Sequence, residues 1–258
     1  MKLGLCTKIT NDKAAEDAGF EYIEPMVAEL VPGKPDADFV KVRESIAGAN
    51  IKPEAFNCFI PGEMKITGPD VDLDALKQYV TVACGRAAEV GAGLIVFGSG
   101  GARGVPEGFP FDQAMGQVGE FLDAIAPVAA AQGITIAVEP LRRPECNIIN
   151  LVKEGYEVAR RASHPAIRGL ADLYHIGSEN EPYENIIDGS EMLAHVHIAH
   201  PITRMCPLPD DGCDYRAFFR ALQQADYDGR ISVESAWEDP AAQAPVVVEH
   251  LKAEWEKA

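Results

Sequence analysis

The stretch Ala131–Glu139, AQGITIAVE, decides the reading of the fold. A glycine closes a helical stretch, an unbroken apolar and β-branched run follows, and the run ends on a carboxylate. Such a run, apolar on both faces, marks a strand buried on both sides, as in a parallel sheet covered by helices. The same phrase recurs outward in both directions. Upstream it reads AGFEYIE (18–24), ANIKPEAFN (49–57) and VGAGLIVFGSG (90–100); downstream it reads HPAIRGLAD (164–172), LAHVHIAH (193–200) and YDGRISVE (227–234); KLGLCTK (2–8) opens the chain. These make eight candidate strands.

Helical periodicity fills the intervals over Asp72 to Val90, Phe111 to Gln132, Leu151 to Ala162, Tyr215 to Ala225 and Pro240 to Trp255. Eight strand–helix units predict a closed (β/α)8 TIM barrel, a single α/β domain over residues 1–258, because closure removes both sheet edges; an open doubly wound sheet is the alternative. In the last helix, Val246, Val247, Leu251 and Trp255 form an apolar stripe expected to pack on the barrel. The glycine-rich GSGGARG after Phe97 lacks the G-x-G-x-x-G spacing of a dinucleotide site, so a nicotinamide cofactor is not expected.

Composition narrows the function classes. With 23 Lys plus Arg against 40 Asp plus Glu, the formal charge of -17 repels phosphate backbones and anionic membranes, so neither nucleic acid nor membrane is an expected partner. No segment has the length and apolarity of a bilayer span, and none reads as an export signal. The six cysteines are scattered without C-x-x-C spacing, which fits a reducing cytoplasm. Homo-oligomerisation is left open.

In a barrel of this kind the C-terminal strand ends open onto the functional face. Those ends read Glu24, Asn57, Gly98, Glu139, Asp172, His197 and Glu234. A single strand-end carboxylate is as well explained as a helix N-cap or a surface charge. Several converging on one mouth need a cation or raised proton affinities. Glu139, Asp172, His197 and Glu234, from four successive strands, make a hard three-oxygen, one-nitrogen set for one divalent ion, with Mn2+ favoured and Mg2+, Co2+ or Zn2+ as alternatives. None of the six histidines precedes His164, and alternation puts His195 and His197 on one side of their strand with His197 nearer the mouth.

Four segments carry a family resemblance. AVEPLRRPE (137–145), ADLYHIGSEN (171–180), HVHIAHPITR (195–204) and ISVES (231–235) are similar to the strand-five to strand-eight motifs of the xylose isomerase-like barrels of sugar isomerases and epimerases, within them the ketose 3-epimerases. The resemblance implies Glu139, Asp172, His197 and Glu234 as metal ligands, Glu139 and Glu234 as the acid/base pair, and Glu145, His175 and Arg204 as substrate contacts. Arg204 stands one residue further from His197 than in the epimerase pattern, and the Glu-Pro-Phe ending common after strand eight is absent.

The implied chemistry moves a proton next to the carbonyl of a ketose or keto-sugar through a cis-enediolate, and a divalent cation supplies several kcal/mol of the oxyanion stabilisation this needs. A keto-inositol dehydratase, a hydroxypyruvate isomerase-like enzyme and a non-catalytic sugar-binding barrel are the competing readings. An abasic-site endonuclease of the same superfamily needs histidines from earlier strands, which this chain lacks. Further expectations are that Glu24, Phe59, Phe109 and Trp237 wall the sugar site, that the stretch 98–111 forms a lid, and that Arg103 meets an anionic group of the substrate.

Overall fold

A computed structural model describes residues 1–258. All eight expected strands form: β1 Lys2–Cys6, β2 Tyr22–Glu24, β3 Ala55–Phe56, β4 Leu94–Phe97, β5 Thr135–Val138, β6 Ile167–Asp172, β7 Leu193–Ile198 and β8 Arg230–Val233. They pair in parallel in the order β2-β1-β8-β7-β6-β5-β4-β3. Single bridges Ile23 to Pro53 and Met26 to Asn57 join the two remaining edges, with Val27 N–H donating to the Asn57 carbonyl at 2.8 Å and Asn57 N–H to the Pro25 carbonyl at 2.9 Å. The ring is therefore nearly closed, which excludes the open sheet.

The crossover helices run Leu73–Glu89, Phe111–Ala131, Val152–Ala162, Tyr215–Gln224 and Pro240–Glu256, close to the periodic stretches. Asp72, Asp214 and Asp239 cap three of them by accepting backbone N–H bonds. Helices also form outside those stretches, among them Asp36–Gly48, with only Phe39 and Ile46 buried, and the short Leu173–Glu179, begun by Asp172. The last helix buries Val247 and Leu251 and sets Trp255 edge-on to Phe219, while Val246 stays exposed.

The alternation of strand side chains produces two layers inside the barrel. The lower layer is apolar, with Ala55, Leu94, Val96, Ala137 and Leu170 in one cluster. Gly4 leaves room for the Tyr22 ring, which a Cβ at that position would overlap. The layer above is polar: Glu24, His195, His197 and Ser232 are all fully buried there. A bulge at Gly169/Leu170 shifts the β6–β7 register so that Asp172 lies level with His197.

Candidate active site

The upper polar layer is tied together across the barrel. Tyr22 Oη hydrogen-bonds Ser232 Oγ at 2.8 Å, and Ser232 Oγ donates to Glu24 Oε2 at 2.6 Å. Glu24 also accepts from His195 Nε2 on Oε2 (2.7 Å) and from His197 Nε2 on Oε1 (2.8 Å). Both carboxylate oxygens of Glu24 are thus engaged, and His197 is turned so that its Nδ1 faces the barrel mouth.

At the mouth, His197 Nδ1 lies 3.1 Å from Glu139 Oε1 and 3.4 Å from Glu234 Oε2. One ligand atom from each of Glu139, Asp172, His197 and Glu234 can be chosen so that all lie within 4.8 Å of one another. Asp172 serves both readings of a strand-end carboxylate at once, since its Oδ1 accepts from Tyr174 N–H at 2.7 Å as the cap of the helix Leu173–Glu179. His175 Nδ1 accepts from Arg142 N–H at 3.2 Å, which places the ring proton on Nε2. That Nε2 is buried without a hydrogen-bond partner, 3.5 Å from Asp172 Oδ2.

The charges are strongly coupled. Burial alone would raise the proton affinity of Glu24, but the His197 and His195 rings outweigh it and hold the carboxyl well below its ordinary range. Burial disfavours a charged His197, yet Glu24, with help from Glu139 and Glu234, lifts it well above 6.5. His195 moves down, with burial dominant over its bond to Glu24. Burial and the charges of Glu234 and Glu139 raise Asp172 against the opposing His175. For Glu234 burial is overcome by its bond to His197 and by Arg204, and it is lowered. This crowd of carboxylates around one imidazole nitrogen fits a small hard cation in both charge and donor chemistry.

A cavity of about 390 Å³ opens above the cluster, lined by Glu139, Glu234, Glu145, Arg204, Leu141 and Tyr79 among others. Arg204 Nη2 donates to Glu234 Oε2 at 2.8 Å, and its Nη1 lies 3.4 Å from Glu145 Oε1, which also accepts from Arg142 Nε at 2.6 Å. Cys58, Ser99 and Arg204 line this cavity with left-handed backbone at φ 51°, 46° and 59°, the kind of local strain that collects at functional loops.

Residues 13–254 match the profile of the xylose isomerase-like TIM barrel family. The chain belongs to that family. Within it, the chain is 30% identical over 182 residues to the 3-dehydro-D-guloside 4-epimerase of Escherichia coli, covering 66% of this chain and 67% of the relative. It is 32% identical over 115 residues to the L-ribulose 3-epimerase of a Methylomonas species, an alignment spanning 44% of this chain and only 40% of that relative's length. The crystal structure of a D-psicose 3-epimerase with D-tagatose from Clostridium cellulolyticum superposes with a TM-score of 0.86 at 17% identity, covering 99% of both chains. At that identity the likeness is one of fold.

Several residues expected at the site stand elsewhere in the barrel. Arg103 does not reach the cavity: it is fully buried, donating to the carbonyls of Phe97 (2.9 Å) and Glu139 (2.6 Å), so it ties the end of β4 to the end of β5. The stretch 98–111 is no free lid. It forms the helical turn Gly100–Arg103, Thr67 Oγ1 donates to the Arg103 and Gly104 carbonyls, and Asn147 bonds Val105 in both directions. Phe59 is buried edge-on to Phe97, and Phe109 and Trp237 pack against the core; none of the three lines the cavity. Glu24 ends β2 but lies beneath His197, with both oxygens occupied by His195, His197 and Ser232. His175 is 2% exposed and sits behind Asp172 rather than on the cavity wall. Tyr79, from the helix Leu73–Glu89, is a wall residue that no strand-end rule selects, since a helix carries it there.

Proposed function

We infer that this barrel is a divalent-metal-dependent sugar epimerase or isomerase, a single domain over residues 1–258, that moves a proton next to the carbonyl of a ketose or keto-sugar. One observation carries this reading. Of the four clustered ligand candidates, Glu139 and Glu234 line the cavity, while Asp172 and His197 lie beneath it. Both carboxylates line the cavity within 3.4 Å of one imidazole nitrogen, which supports a two-base proton exchange on a sugar held there.

Glu139, Asp172, His197 and Glu234 would hold the ion, Mn2+ by preference, with Mg2+, Co2+ or Zn2+ as alternatives; bound there, it would supply Lewis-acid stabilisation of oxygen charge next to the reacting carbon. His197 and Arg204 together outweigh burial and favour the carboxylate form of Glu234, so Glu234 would begin as proton acceptor at one face of the carbon. Glu139, entering the step as the carboxylic acid, would deliver its own proton to the other face, and exchange of both carboxyls with water would restore the starting state. Glu145 and Arg204, on the same wall, grip hydroxyl or carbonyl oxygens and exclude water from the reacting carbon. The relatives named as epimerases of ketoses and of a dehydro-guloside support this class. A solved neighbour described with a bound zinc atom, at 16% identity and a TM-score of 0.75, shares the fold.

Six unpaired cysteines and the acidic surface support a cytoplasmic enzyme of small neutral sugars rather than one of nucleic acid or membrane. No helix is long and apolar enough to cross a membrane.

The test is deuterium incorporation from deuterated water into ketoses and keto-sugars, with each divalent ion added in turn. Exchange lost by about 10²-fold or more in Glu139→Gln and in Glu234→Gln is the expected result. A product lighter by one water would assign the dehydratase chemistry instead. Sugar binding unaffected by either substitution, without exchange, would leave a binding protein.

A further inference from the structure

The cavity above the ligand cluster is not the only space at the barrel mouth. A second cavity, of about 440 Å³, opens on the other side of Glu234, between the ends of β8, β1, β2 and β3. The two share Met26, Ala28, Asn57, Cys58 and Glu234 as a common wall. Each lies within the roughly 300–1,000 Å³ range of small-molecule sites, so a sugar ring placed against Glu139, Glu145 and Arg204 leaves the second lobe open.

That lobe carries polar groups with nothing to bind. Asn57 is 6% exposed and its Oδ1 has no hydrogen-bond partner; Ser235 Oγ, which lines the second lobe alone, is likewise buried and unpartnered. Leaving such buried atoms unsatisfied is destabilising, and a ligand hydroxyl would satisfy them. The local charge selects against an anion: Glu24, Glu29 and Glu234 line the lobe, and Lys8 is its single cationic side chain. Unfilled acceptor oxygens beside carboxylates call for a neutral, hydroxyl-donating group. Met26, half-exposed on the shared wall, offers an apolar surface to the carbon face of such a group.

We propose that the second lobe is a subsite for a neutral glycosyl substituent, and that the substrate is a keto-glycoside spanning both lobes rather than a free ketose or a sugar phosphate. The proposal rests on the epimerase reading above and names its substrate class. The keto-sugar ring lies at the ligand cluster, and its glycosidic partner lies between Thr7, Ser235 and Asn57. Binding energy from the second unit is available to position the first, so truncating the substrate lowers turnover as well as affinity.

The experiment measures deuterium exchange by the manganese-loaded protein on three probes: a 3-keto-disaccharide, the matching free 3-keto-hexose, and the 6-phosphate of that hexose. The expected kcat/KM for the disaccharide exceeds that for the free sugar by about tenfold or more, with the phosphate below both. Thr7→Phe, which fills the second lobe, brings the ratio of disaccharide to free sugar close to one. Ser235→Ala, a smaller change, lowers the ratio severalfold and decides the matter if Thr7→Phe does not fold. Equal efficiency on the free sugar and the disaccharide, or a ratio that survives these substitutions, overturns the subsite while leaving the epimerase reading intact. Absence of exchange on all three probes and on free ketoses overturns both.

Discussion

Glu24 Oε1 accepts a hydrogen bond from His197 Nε2 at 2.8 Å in a fully buried setting, fixing the imidazole with Nδ1 directed at Glu139 and Glu234. A carboxylate behind a ligating histidine sets both its tautomer and its basicity. Glu24→Gln keeps the shape but removes the charge. The expected outcome is a metal affinity about 10–100-fold weaker, measured by titration of the ion into ion-free protein, with the fold retained by circular dichroism.

For the proposed metal site, the same pair is expected to make uptake depend on pH. His197 is raised well above 6.5, so at neutral pH an ion reaching Nδ1 must displace a proton. Apparent affinity therefore falls by about tenfold for each pH unit lost below the raised value. Calorimetric titration in buffers of different ionisation enthalpy should report about one proton released; the absence of release would place the ion elsewhere. For the ion-free protein, the His197 contribution to stability is fully present below 6.5 and fades as pH rises through its folded value. The Glu24 contribution is present above about 4.5 and is lost only as pH falls through its depressed folded value.

Gly98, at the end of β4, makes room for a ligand candidate. A Cβ built there would overlap Glu139 Oε2. Gly98→Ala is expected to push that carboxylate aside and weaken metal uptake by about tenfold or more, with little change in unfolding midpoint because the atom displaced is the far end of a flexible side chain that can move into the adjoining cavity. Elemental analysis beside a melting curve separates the two effects.

Arg103 holds the frame of the site instead of the substrate. Burial lowers its proton affinity, yet its guanidinium satisfies two strand-end carbonyls and lies 5.3 Å from the centroid of the Phe97 ring. Arg103→Ala removes those donors and opens a cavity, for an expected loss of about 3–5 kcal/mol in urea unfolding. Arg103→Met refills much of the volume and is expected to cost less, while still leaving the carbonyls unpaired.

The eight strands and the identity of the four clustered side chains were legible in the chain itself, because both follow local rules. Apolar runs such as LIVF and TIAV specify buried parallel strands, and in a parallel barrel the last inward-facing residue of each run arrives at the same rim. What the sequence by itself could not determine is which partners those residues meet. Glu24 and His197 are 173 positions apart, and Tyr22 and Ser232 are 210. Arg103 reads as an exposed loop cation until the turn Gly100–Arg103 folds it inward onto β4 and β5. Tyr79 reaches the cavity from a helix, and the second lobe exists only because the ends of β8, β1, β2 and β3 leave space between them. Periodicity encodes the face on which a side chain lies; closure of the barrel decides what stands opposite it.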